Sequence, residues 1–214
     1  MPDLAEMRER MVREQIARRG IADPNILEAF RRVLREAFVA PELSHQAYGD
    51  HPLPIEAGQT ISQPYIVALM IEAAGVKPGD RVLEVGAGSG YAAAILGQIA
   101  GEVIAIERHG ELARLAAERM ERLGYANVRI VEGDGTRGWP ELAPYDGILV
   151  AAAGEQVAPP LIDQLAAGAR IVMPVGKPDG PQILVRVTRG SDGRLSREEL
   201  GPVRFVPLIG ETDG

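Results

Sequence analysis

At 214 residues, with 46% hydrophobic side chains, a net charge of -7 and no cysteine, the chain can bury one sizeable core but can form no disulfide, thiolate metal site or cysteine nucleophile. The acidic balance and the lack of a basic run argue against a groove that tracks nucleic-acid phosphates. No signal-peptide pattern and no run of about 18 apolar residues occurs, so a cytoplasmic enzyme without a membrane partner is expected.

From the N-terminus, Leu4 to Arg19 sets Leu4, Met7, Met11 and Ile16 at helical spacing among arginines and glutamates, an amphipathic helix with a solvated charged face. Gly20 ends it. Asp23-Pro24 opens a second helix with Ile26, Leu27, Phe30, Val33 and Leu34 on its apolar face, closing before Pro41. Both helices read as packing elements. Ala40 to Gln59 is loop-like and rich in Pro and Gly, and loops of this length are often functional. His45 and His51 flank Tyr48 and Asp50 there, yet no further ligand stands at a metal-binding spacing and no metal is expected. Gln59-Thr60-Ile61-Ser62-Gln63-Pro64 leads into a helix ending at Gly75, with Ser62 as N-cap and Pro64 in the first turn. A helix start with free N–H groups and hydroxyls is also an anion site, so Thr60 and Ser62 can hold a substrate carboxylate as well.

Arg81 to Glu107 reads as strand, glycine turn, helix and strand. Val82, Leu83 and Val85 form a buried strand, and Gly86, Gly88 and Gly90 permit a sharp turn and a close backbone approach to a ligand. The helix beginning near Tyr91 points its positive end at that ligand. Val103 to Ile106 makes the next strand, and Glu107 at its carboxyl end can accept from ribose hydroxyls. The spacing suits a dinucleotide, about 20 residues, but two residues disfavour NAD. Tyr91 stands where a small third residue would allow close helix packing, and Glu84 would lie near a pyrophosphate. S-adenosyl-L-methionine, with a sulfonium, an ammonium, a ribose and no phosphate, suits Glu84 better.

The alternation continues with a helix from Glu111 to Leu123, a strand from Val128 to Val131, and Asp134 with Gly135 just past that strand, where the acid can accept from an adenine amino group. Tyr145 to Ala153 is a strand covered on both faces, Pro159 to Leu165 a short helix, and Ala169 to Val175 a fifth strand. Gln182 to Val187 and Leu195 to Val206 form a terminal hairpin. The expected architecture is α/β: a Rossmann-like, doubly wound, mostly parallel sheet of about seven strands with a C-terminal antiparallel hairpin and added N-terminal helices. It is expected as one domain over 1–214, with helices and substrate loop in 1–78 and the cofactor-binding core in 79–214.

GQTISQPYIVALM, VLEVGAGSGYAAAIL, the Glu107 strand end, GDG at Gly133 to Gly135, YDGILVAAA and a closing RFVPL together resemble the protein-L-isoaspartate O-methyltransferase family over nearly the whole chain. The glycine motif is shared with many methyltransferases; GQTIS with RFVPL is far more specific. The resemblance implies methyl transfer from S-adenosyl-L-methionine to the free α-carboxylate of L-isoaspartyl residues in damaged proteins and peptides, which starts repair through a succinimide. It makes Ser62 the catalytic or substrate-orienting residue. It places Ile61 and Ser62 at the methionine end of the cofactor, Glu84, Gly86, Gly88 and Gly90 around its amino-acid part, Glu107 and Arg108 at its ribose, and Asp134 and Gly135 at its adenine. Thr60, Ser62 and the edge Val206, Pro207 and Leu208 would hold the substrate, with Tyr48 and Asp50 as lesser candidates. Ile209 stands where some relatives have threonine and few residues follow, which argues against a cofactor contact from that end. The implied protein is a monomer whose partners are isoaspartyl substrates and not nucleic acid. A methyltransferase with a small-molecule acceptor and a non-catalytic cofactor-binding module are the alternatives.

Overall fold

The computed structural model describes residues 3–177 and 179–210. Asp3 caps the first helix, α1 (Leu4–Arg10), its carboxylate accepting from Ala5 N at 2.9 Å. The helical path continues through a π segment (Met11–Ile16) and a 3-10 turn (Ala17–Arg19), then stops at Gly20, whose φ is +102°. The wider π winding, with its i to i+5 ladder, aligns Met11 with Ile16, and both are fully buried.

Asp23 caps α2 (Pro24–Arg32), accepting from Asn25 N at 2.8 Å and Ile26 N at 3.4 Å. The expected continuation to Pro41 fails: Val33 turns extended, Leu34 is exposed, and a 3-10 turn (Arg35–Phe38) follows. This break swings Arg35 and Phe38 into the interior. The expected loop carries a further 3-10 turn (Pro41–Gln46) and a two-stranded ribbon, β1 (Leu53–Pro54) paired antiparallel with β2 (Thr60–Ile61). Gln63, not Ser62, is the N-cap of α3 (Pro64–Ala74). Proline is accommodated at the first helical position and forbids helical geometry to the residue before it, so the cap falls on Gln63 and the Ser62 hydroxyl is released from capping.

The main sheet is built from β3 (Arg81–Val85), then after α4 (Tyr91–Gly97) from β4 (Glu102–Glu107), after α5 (Gly110–Leu123) from β5 (Val128–Glu132), then β6 (Tyr145–Val150), and after α6 (Pro159–Asp163) from β7 (Leu165–Gly176), β8 (Gln182–Arg189) and β9 (Leu195–Val203). The order is β5-β4-β3-β6-β7-β8-β9. The first five are parallel; β8 and β9 fold back antiparallel as a meander. β3 is the central one of the five parallel strands, with Val82, Leu83 and Val85 almost wholly buried, as a strand covered on both faces requires.

β7 begins at Leu165, four residues before its expected start at Ala169, and two strands end early. β6 stops at Val150 and β9 at Val203, because the chain after each peels off to meet the other: Ala153 N donates to Val206 O at 2.8 Å and Leu208 N to Ala153 O at 2.7 Å. The Gln182 side-chain amide holds this departure, accepting from Phe205 N at 2.7 Å and donating to Phe205 O at 3.2 Å.

One sheet face is covered by the N-terminal elements, α3 and α4, and the other by Leu161 of α6 with Trp139, Leu142, Val157 and Ala158. Tyr91 joins the N-terminal layer to the sheet: its ring meets Phe30 edge-on at 6.2 Å and Phe38 at 5.5 Å. Among the described residues no helix is long and apolar enough to cross a membrane. Replacing fully buried Phe30 by alanine removes both ring packing and volume, and is expected to cost about 3–5 kcal/mol in urea unfolding; a loss below about 1 kcal/mol would mean that this layer is not packed on α4.

Candidate cofactor and acceptor site

The sheet dictates where the site forms. From β3 the chain winds outward to β4 on one side and returns to β6 on the other, so a crevice opens at the carboxyl ends of β3, β4 and β6. Its walls are Gln59 to Ser62, Glu84 to Ser89, Tyr91, Ile106 to His109, Gly135, Ala151, Ala152 and Val206 to Ile209.

The floor is the glycine turn. Gly86, Gly88 and Gly90 have φ of +89°, +53° and +85°, a region that side chains disfavour. Gly86 N and Ala87 N donate to Ile106 O at 2.8 and 3.0 Å, and Gly88 N donates to Glu107 Oε2 at 2.8 Å. The other Glu107 oxygen accepts from His109 N at 2.9 Å. Each carboxylate oxygen has a second lone pair, so Glu107 can shape the turn and accept from a ligand as well. Gly135 comes against the end of β3, where a Cβ would overlap the Val85 side chain.

Glu84 is the electrostatic centre of the crevice. It is buried, and its carboxyl is held well above the ordinary carboxylate range by burial first and by the like charge of Glu107 second. Glu84 Oε2 and the Tyr91 hydroxyl are buried polar atoms without a hydrogen-bond partner. A desolvated, unpartnered carboxyl beside a second acid is a site for a cation. The ammonium and sulfonium of S-adenosyl-L-methionine match it, and a pyrophosphate does not.

Of the residues singled out in the sequence, Thr60, Ile61, Ser62, Glu84, Gly86, Gly88, Glu107, Arg108, Gly135, Val206, Pro207 and Leu208 all line this crevice. Gly90 does not. It is the N-cap of α4, and a Cβ there would meet Met120 Cε at 3.0 Å, so its smallness serves the packing of α4 on α5. Asp134 lies outside the lining, beside a neighbouring depression with Arg137 and Trp139; its Oδ1 caps the next turn, accepting from Thr136 N at 2.9 Å and Thr136 Oγ1 at 2.7 Å. Tyr48 and Asp50 are likewise away from the crevice. The Tyr48 hydroxyl donates to Glu36 and accepts from Arg8, and Asp50 pairs with Arg19 at 2.8 Å. They anchor the loop to the N-terminal helices, which are therefore more than packing elements. Ile209 also lines the crevice, following the Val206 to Leu208 backbone that bonds to Ala153. Ala151 and Ala152 were missed; their signal was their place just past the strand end beside the switch point.

Comparison with known proteins agrees with this geometry. The family model described as protein-L-isoaspartate(D-aspartate) O-methyltransferase matches residues 6–213. A protein-L-isoaspartate O-methyltransferase 1 of Rhodopseudomonas palustris (strain HaA2) is 58% identical over 207 residues, covering 97% of this chain and 84% of the relative. A solved protein-L-isoaspartate O-methyltransferase superposes with a TM-score of 0.85 at 32% identity, over 95% of this chain and 66% of that one. A Plasmodium falciparum structure described by the same activity, in complex with S-adenosyl-L-homocysteine, gives 0.81 at 27% identity, over 94% and 98%. The small-molecule methyltransferase and the silent cofactor module are thereby disfavoured. The chain belongs to the protein-L-isoaspartate(D-aspartate) O-methyltransferase family.

Proposed function

We propose that the crevice methylates the free α-carboxylate of an L-isoaspartyl residue, with Ser62 orienting that carboxylate and Val206 to Leu208 holding the peptide main chain. The observation that carries this reading is the meeting, at one crevice mouth, of the Thr60 to Ser62 segment and the Val206 to Leu208 edge above a buried, unpartnered Glu84. The S-adenosyl-L-homocysteine in the Plasmodium falciparum neighbour supports the same use of the cleft.

S-adenosyl-L-methionine supplies an electrophilic methyl on a sulfonium. Glu84 with the Gly86 and Gly88 turn would hold its amino-acid part, and Glu107 with Arg108 its ribose. Gly135 would face the adenine, with Asp134 shaping that wall through its cap on Thr136. An α-carboxyl has a reference pKa of about 3.3 to 3.7, so at neutral pH more than about 99.9% is already the nucleophile. No general base is needed. The chain's task is to strip water from one carboxylate oxygen and hold it in line. Ser62, freed from capping, suits that task, and its hold must stay modest because the carboxylate charge disappears in the product.

The peptide edge follows from the pairing with Ala153. That pairing uses the Val206 carbonyl and the Leu208 N–H, so Pro207 turns its own carbonyl the other way. Lacking an N–H, Pro207 offers a substrate main chain an acceptor only. An exposed edge of this kind suits an extended, accessible segment of a damaged protein. A single-domain, cytoplasmic monomer completes the proposal.

Paired synthetic peptides that differ only in an isoaspartyl or aspartyl linkage test the acceptor directly: methyl transfer is expected to the first alone, and equal transfer to both would overturn the reading. Ser62→Ala is expected to lower kcat by about 10- to 100-fold with S-adenosyl-L-homocysteine affinity unchanged; lost affinity with normal kcat would remove Ser62 from the acceptor side. For Glu84, the folded, ligand-free chain keeps the carboxyl protonated to higher pH than the unfolded chain does. Its burial thus begins to destabilise the fold above about pH 4.3, increasingly as pH rises towards the folded-state pKa. Glu84→Gln should therefore raise the Tm of the ligand-free protein at neutral pH, a gain that vanishes in acid. It should also weaken cofactor binding by about 10- to 100-fold, the size of a charge-assisted contact; calorimetry showing unaltered affinity would exclude Glu84 as the cation's partner.

A further inference from the structure

Arg35 is fully buried, and among the described residues no carboxylate pairs with it. Its guanidinium donates instead to backbone carbonyls: Nη1 to Ala47 O, and Nη2 to His51 O at 3.3 Å and Ser62 O at 3.0 Å. Its Cζ lies 5.6 Å from the centre of the Tyr91 ring, and its Nε is buried without a partner. Burial pushes its pKa down. Asp50 acts on it only through space, and burying a guanidinium without a directly paired carboxylate is unfavourable.

The acceptors show what this placement accomplishes. Ala47 and His51 bracket the turn that holds Tyr48 and Asp50, so two of the bonds close the loop on itself. The third falls on the carbonyl of Ser62, whose carbon is bonded to the Cα that carries the hydroxymethyl side chain, and so sets the peptide plane leaving that residue. On its other side Ser62 follows Ile61, which is held by pairing with Leu53. The ring beside the guanidinium belongs to Tyr91, the first residue of α4, directly after the turn that shapes the cofactor floor. One side chain therefore fixes the acceptor-holding residue and contacts the element leaving the cofactor turn.

We propose that Arg35 is a positioning residue for methyl transfer, holding Ser62 through its backbone carbonyl in register with the glycine turn. This rests on the acceptor-orienting reading of Ser62. Transfer in line between two bound partners is sensitive to misplacement of about 1 Å, which can cost on the order of 100-fold. A fork that reaches several carbonyls at once gives that constraint, and the single ammonium of lysine does not.

The test measures kcat, the KM for an isoaspartyl peptide and S-adenosyl-L-homocysteine affinity for Arg35→Lys and Arg35→Met, each alone and combined with Ser62→Ala, at a temperature where circular dichroism shows each variant folded. The expected result is a kcat loss of about 10- to 100-fold in both Arg35 variants, S-adenosyl-L-homocysteine affinity within about threefold of the parent, and no further loss when either is added to Ser62→Ala. Normal kcat in a folded Arg35 variant, or losses that multiply with that of Ser62→Ala, would overturn the proposal while leaving the role of Ser62 intact. A Ser62→Ala enzyme with normal kcat would remove the Ser62 reading itself and the Arg35 proposal with it. Failure of both Arg35 variants to fold would make the residue purely structural and end the proposal.

Discussion

The crevice depends on one carboxylate. Glu107 takes a backbone N–H on each oxygen, from Gly88 at 2.8 Å and from His109 at 2.9 Å, while Gly86 and Ala87 bond to the carbonyl of the residue before it. The end of β4 and the turn after β3 are thereby tied into one body, and the strand proposed to supply the ribose acceptor also shapes the glycine turn. The consequence is electrostatic. Two acids share a buried space, and Glu107 adds to burial in raising the Glu84 carboxyl above the ordinary carboxylate range.

The sheet alone provides only the cofactor half. The Thr60 to Ser62 segment, proposed to hold the acceptor, lies on a loop that no main strand reaches, and side chains of the N-terminal layer hold it there. Gln15 Nε2 donates to Tyr48 O at 3.0 Å, Arg19 pairs with Asp50, Arg8 and Glu36 engage the Tyr48 hydroxyl, and Arg35 gathers Ala47, His51 and Ser62. Tyr91 closes the circuit by packing on Phe30 and Phe38 from the far side of the glycine turn. The helices before the sheet thus act as the frame of the acceptor loop.

What could be read from the sequence follows the range of the forces involved. The strands flanking the crevice are runs such as Val103 to Ile106, buried on both faces, and a local pattern suffices to find them. The glycine turn and Glu107 are legible for the same reason, since the turn needs its residues in immediate succession. Val33 and Leu34 continued an apolar helical face, so nothing local announced that the helix would break there to carry Arg35 inward. In sequence Arg35 is one of many arginines. Ser62 looked like a cap because serine usually is one; the constraint that Pro64 imposes on Gln63 decided otherwise. Val206 to Leu208 left β9 under the grip of Gln182, more than twenty residues earlier in the chain, and a bond at that separation has no signature in a hydrophobic pattern.

The two halves bear on selectivity together. In an isoaspartyl residue the main chain runs through the side-chain carbonyl, and the free carboxylate sits directly on Cα; in an aspartyl residue the free carboxylate is one methylene further out. With the main chain held along Pro207 and the carboxylate at Ser62, as proposed, the two linkages differ by the reach from edge to hydroxyl. A pocket that merely accommodates one methylene more or less discriminates by about 1–3 kcal/mol. A carboxylate that must also lie in line with a fixed methyl loses alignment as well as contact. Selectivity therefore requires that the edge, Ser62 and the glycine turn hold their separations rigidly, which is the work of Ala153 at the edge, Arg35 behind Ser62 and Glu107 beneath the turn.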